Sequence, residues 1–106
     1  MTVYVDEFPW GDGKWAGGGH MLASDLDELH ALADRIGLRR NWFQSETTFA
    51  HYDLTKSKRR LALQAGAVSI EAGEIPDDVL VRNDDGTYET RAERRAWAAI
   101  RKAGEA

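Results

Sequence analysis

The chain contains no cysteine. Disulfide scaffolds and thiolate metal sites are therefore excluded, including the Cys-type zinc fingers. No apolar run approaches the roughly 18 residues that a membrane-spanning helix needs. The opening MTVYVDEF lacks the basic and apolar segments of a signal peptide, so a cytoplasmic protein with no membrane partner is expected. Internal repeats and low-complexity tracts are absent. So are H-E-x-x-H and G-x-S-x-G, which removes two hydrolase signatures. The segment GDGKWAGGG has glycines and a lysine but lacks the G-K-[ST] ending of a phosphate-binding P-loop. No named ligand spacing occurs, so the sequence alone assigns no metal and no cofactor.

What is present fits one domain of 106 residues. A chain of that size buries about two-thirds of its unfolded surface. The net charge of −4 hides a strong asymmetry. Residues 1–34 carry seven acids against one lysine, and residues 68–106 nine acids against six bases. Between them, Arg35, Arg39, Arg40, Lys56, Lys58, Arg59 and Arg60 face only Glu46 and Asp53. An acidic chain with one cationic segment is no general nucleic-acid coater, yet it can hold one anion locally. Alternatively, the acidic flanks fold back and neutralise that segment.

The alternating Thr2–Asp6 reads as a first strand, with Val3 and Val5 on one face and Tyr4 and Asp6 on the other. The glycine-rich stretch from Pro9 to His20 reads as a loop. Its Trp10 and Trp15 either cover the core edge or meet a ligand. Ser24 is expected to cap a first helix, helped by Asp27. Leu26, Leu29, Leu32, Ala33 and Ile36 form its apolar stripe, and Gly37 ends it. SETTFAH reads as an irregular loop. A second helix starts at Asp53 or Thr55, packs through Leu61, Ala62 and Ala65 with Lys58 and Arg59 pointing elsewhere, and ends at Gly66. Ala67–Glu71 is a second strand. Val79–Arg82 and Thr87–Glu89 flank the turn Asn83-Asp84-Asp85-Gly86 as a hairpin. Thr90 and Glu93 form a capping box for a last helix over 91–103, whose apolar anchors are Trp97 and Ile100. Two strands joined by a long helical crossover favour a parallel pair. The expected fold is thus α/β (or α+β): a small sheet with a parallel pair joined by two helices, then a C-terminal hairpin and helix. Residues 1–76 form the core and 77–106 an extension of the same domain.

TVYVD, His20 followed by Glu28-Leu29-His30 with Ala33 and Ile36-Gly37, then Trp42-Phe43-Gln44, His51-Tyr52-Asp53-Leu54, Lys58 with Ala62, and AGAV form one pattern. It resembles DUF4031, a small domain family of bacteria and their phages. The resemblance covers about residues 2–72 and implies no assigned activity. A composition high in Arg, Ala, Gly, Asp and Trp and low in Lys fits a high-GC bacterium or its phage.

Three functional readings compete. The leading one is a non-enzymatic module for nucleic acid or a nucleotide. It uses Arg39, Arg40, Lys56, Lys58, Arg59 and Arg60, with Trp42 as a stacking ring. Cations at the start of a helix are locally unfavourable, so four of them suggest a compensating anion, and Thr55 and Ser57 add hydroxyl donors. A second reading is a phage accessory protein that grips a host protein through the Trp97 helix and the tryptophan-bearing loop. The third is a metal-dependent phosphoesterase using Asp6, His20, His51 and Asp53. Each of these has a plainer explanation. In an extended segment His51 and Asp53 would point the same way, but Asp53 more naturally caps the second helix, and His20 closes the glycine loop. His30, beside the buried stripe of the first helix, reads as a satisfied, partly buried histidine.

Overall fold

A computed structural model describes residues 2–8, 11–45 and 47–104. Strands β1 (Val3–Val5), β2 (Gly19–Ala23), β3 (Tyr52–Leu54) and β4 (Val68–Ser69) form one sheet in the order β3-β2-β1-β4. The β1–β4 pair is parallel, as expected, and the other two are antiparallel. Helices α1 (Leu26–Arg35) and α2 (Lys56–Gln64) supply the crossover. Strands β5 (Leu80–Arg82) and β6 (Tyr88–Thr90) make the separate C-terminal hairpin, and α3 spans Arg91–Gly104. The class is α+β. Among the described residues no helix is long and apolar enough to cross a membrane.

The core lies between one sheet face and the two crossover helices. Val5, Met21, Tyr52 and Leu54 point into it and meet Leu29, Ala33, Ile36 and Ala62. Burying such side chains contributes about 1.5–3 kcal/mol each. The opposite sheet face carries Tyr4, Asp6, His20, Leu22 and Asp53, because strand side chains alternate and these residues share the other parity.

Two strands depart from the sequence reading. His20 does not merely close a loop; it belongs to β2. Asp53 caps nothing; it sits in β3, and Thr55 alone is the N-cap of α2, accepting from the Lys58 N–H. Gly18 and Gly19 make β2 possible. A Cβ on Gly18 would lie 2.0 Å from the Leu54 carbonyl oxygen, and one on Gly19 2.1 Å from that of Asp6. Only glycine allows the chain through this gap between β1 and β3.

The helix details also shift. Asp25 rather than Ser24 caps α1, accepting from the Asp27 and Glu28 N–H groups. Ser24 instead accepts from the Thr2 N–H at 2.9 Å. Gly37 ends α1 with φ +85°. On α2, Leu61 is exposed, whereas Lys58 and Arg59 turn inward. Lys58 Nζ donates to the Ile36 carbonyl at 2.7 Å, at the negative end of α1. Arg59 Nε donates to the Asp6 carbonyl at 2.8 Å. The α3 capping box forms in both directions, between Thr90 and Glu93. Trp97 and Ile100 do not anchor this helix: both are more than 60% exposed. Arginines hold it instead. Arg94 reaches Glu89, Asn83 and the Arg82 carbonyl, and Arg95 pairs with Asp77.

Candidate metal centre

The polar sheet face gathers all four residues of the third reading. The β2–β3 register sets His20 opposite Asp53. His51 pairs with Gln44 in an isolated bridge just before β3, so it lies two residues from Asp53 on extended backbone and shares its face. His20, His51 and Asp53 each offer one ligand atom, and these atoms lie within 4.8 Å of one another. His51 Nε2 stands 3.4 Å from Asp53 Oδ1, and His20 Nε2 3.8 Å from the same oxygen. The imidazoles meet edge to face, 5.1 Å between centroids.

The outer partners fix which ring nitrogen faces the cluster. His20 Nδ1 is 3.0 Å from Asp6 Oδ2, and His51 Nδ1 is 2.7 Å from the Phe49 carbonyl oxygen. A carboxylate and a carbonyl can only accept, so both Nδ1 atoms carry hydrogen. In the neutral rings the Nε2 lone pairs are then left to converge on a carboxylate oxygen. Asp53 is itself oriented by Gln44 Nε2, which donates to Oδ2 at 2.5 Å. Thr47 braces the same carbonyl as His51, donating to the Phe49 oxygen at 2.6 Å.

Asp6 is 5% exposed, and the His20 backbone N–H donates to it at 2.6 Å. Burial pushes the Asp6 carboxyl up, but the ring and backbone hydrogen bonds from His20 outweigh it and hold the carboxyl below its ordinary value. The same bond raises the His20 pKa, against burial, which lowers it. Phe8 packs edge-on against His20, 4.6 Å away.

Among the described residues, cavities adjoin the cluster on two sides. One of about 430 Å³ opens onto Asp6, His20 and His51, with apolar walls from Phe49 and Ile75. The other, about 460 Å³, has Asp53 and Gln44 in its wall together with Lys14, Trp15, Trp42 and Lys58.

The cationic side chains of residues 35–60 are partly tied down and partly exposed. Lys58 and Arg59 are tied to backbone carbonyls, as described above. Arg39, Arg40, Lys56 and Arg60 are exposed, and Arg39 lies over the Trp42 indole, 5.6 Å from its centroid. Trp10 lies outside the described residues. His30 is satisfied, bonding Tyr52 through Nδ1 at 2.7 Å. The supporting roles of Gln44, Thr47 and Phe49 were missed, since their importance comes from pairing with His51 across a loop.

The family model described as "Protein of unknown function (DUF4031)" matches residues 3–81, most of the chain. The chain belongs to this family. No curated protein and no solved structure gives a significant match. The DUF4031 match spans the whole four-stranded sheet and both crossover helices, and therefore every residue of the His20–His51–Asp53 cluster.

Proposed function

We propose that this DUF4031 domain is a metal-dependent hydrolase of phosphate esters, with His20 Nε2, His51 Nε2 and Asp53 Oδ1 as ligands to one divalent ion. The observation that carries this reading is the convergence of three acceptor atoms, each backed by its own partner. Metal-ligating histidines characteristically donate their other ring N–H to a carboxylate or a backbone carbonyl. Asp6 and the Phe49 carbonyl have those roles here, and Gln44 orients the carboxylate ligand. Two imidazoles and one carboxylate suit zinc, manganese or iron(II) better than magnesium or calcium, which prefer all-oxygen shells.

Three protein ligands leave coordination positions free for water and substrate, the arrangement of catalytic rather than structural sites. A bound divalent ion would lower the pKa of its water and polarise a phosphoryl oxygen. Lys14 and Lys58, beside Asp53 in the adjoining cavity, favour an anionic substrate.

The test is a thermal melt with Zn²⁺ or Mn²⁺ beside a hydrolysis assay on bis(p-nitrophenyl) phosphate. Wild type should gain stability and turn over the ester, and both effects should disappear in EDTA and in His51→Ala. Equal metal-induced shifts in the two proteins would rule out this site.

A second reading rests on α3. Its Trp97 and Ile100 present exposed apolar surface beside Arg101, suited to gripping another protein. Loss of a pull-down on Trp97→Ala, with the melting temperature unchanged, would support it; retention of the same partner would defeat it.

A further inference from the structure

We infer that the pocket between Trp15 and Trp42 is a recognition site for the heteroaromatic base of a nucleotide unit, whose phosphate is directed toward Asp53 by Lys14 and Lys58. The position of the phosphate rests on the proposed metal centre; base recognition does not.

The pocket's volume of about 460 Å³ lies within the range of small-ligand sites. Its two indoles are not core residues. Trp42 is 49% exposed on a short 3-10 turn, Arg40–Trp42. Trp15 belongs to a second such turn, Gly13–Trp15. Each indole has a cation over it: Lys14 Nζ lies 4.9 Å from the Trp15 centroid, and the Arg39 guanidinium lies over Trp42. Such contacts steady an aromatic side chain at a solvent boundary. Trp15 also packs edge-on against Phe8, which in turn packs against His20. The pocket wall and the candidate centre are thus joined by ring contacts.

Polar groups complete the match. The Gln44 amide gives a hydrogen to Asp53, and its oxygen has no partner among the described residues, so it can accept from a base amine. Lys58 donates one hydrogen to Ile36 and keeps two for an anion. Asp53 by itself repels a phosphate. The phosphate should therefore add affinity only when a cation is held at His20, His51 and Asp53, whereas stacking of the base needs none.

Calorimetric titrations of the whole chain with adenosine, adenosine 5′-monophosphate and ribose 5-phosphate, each in EDTA and in Mn²⁺, test this. In EDTA adenosine should bind and ribose 5-phosphate should not. Trp42→Ala should weaken adenosine by about tenfold or more, Trp42→Phe should largely retain it, and Trp97→Ala should leave it unchanged. Mn²⁺ should tighten the monophosphate but not adenosine. Tighter binding of a tetranucleotide than of the monophosphate identifies nucleic acid as the source of the base; equal binding identifies a free nucleotide. Absence of adenosine binding, or equal affinity in wild type and Trp42→Ala, overturns the inference. Adenosine binding without any Mn²⁺ effect on the monophosphate upholds the base pocket and overturns the placement of the phosphate at Asp53, while the thermal melt with His51→Ala decides the metal centre separately.

Discussion

His20 and Asp6 are joined twice: the backbone N–H of His20 donates to Oδ1, and its ring Nδ1 lies 3.0 Å from Oδ2. A single buried carboxylate thus fixes both the strand position and the tautomer of one histidine. In Asp6→Asn, the side-chain oxygen can still accept from the His20 backbone, but the amide nitrogen then faces Nδ1. The ring hydrogen should move to Nε2, removing the lone pair that faces Asp53. Zn²⁺ or Mn²⁺ affinity should fall by about 10–100-fold, the range for losing an outer partner of a metal ligand. Calorimetry gives the affinity, and ¹⁵N shifts of the imidazole report the tautomer. An unchanged tautomer with unchanged affinity would show that Asp6 has no positioning role.

Two cations of α2 should contribute to stability. Lys58→Met removes the bond to Ile36 at the end of α1, and Arg59→Met removes the bond to the Asp6 carbonyl. Each should cost about 1–3 kcal/mol, the usual value of a hydrogen bond to a charged group with its orphaned acceptor. Lys56→Ala and Arg60→Ala change exposed side chains and should stay within about 0.5 kcal/mol. Urea denaturation compares the four; equal losses across the set would contradict the assignment.

His30 predicts a pH dependence. Burial lowers its pKa, and the nearby Arg40 charge adds to the effect. The folded state therefore binds the proton more weakly than the unfolded chain. The contribution is fully present above the ordinary histidine value of about 6.5 and is lost as pH falls through the lower folded value. His30→Gln should flatten the fall in melting temperature between about pH 7 and pH 5 relative to wild type. The same slope in both proteins would mean that His30 is not the group responsible.

Much of this architecture was legible wherever a local rule acts alone. Gly37 and Gly66 do follow the two crossover helices, and the Thr90–Glu93 box does open α3. The β1–β4 parallel pair followed from the length of the crossover. Strands β2 and β3 were not legible. Met21, Leu22 and Ala23 are all buried, so β2 shows no alternation, and its start is hidden in a glycine run. β3 is only Tyr52–Leu54, and Thr55 immediately behind it announces a helix. The candidate centre depended on that one choice. On extended backbone His51 and Asp53 share a face; as a helix cap Asp53 would have faced backbone N–H groups instead. The bonds of Lys58 and Arg59 to the Ile36 and Asp6 carbonyls were not legible, because these partners are distant in sequence.

The sheet ends on one side in the three residues of β3 and on the other in the two of β4. Borders this short give a second chain little backbone to pair with, which guards against edge-to-edge aggregation. They also disfavour strand addition as a mode of recognition. Side chains, rather than the edges of this sheet, are then the place to seek a selective variant, with the backbone frame left intact.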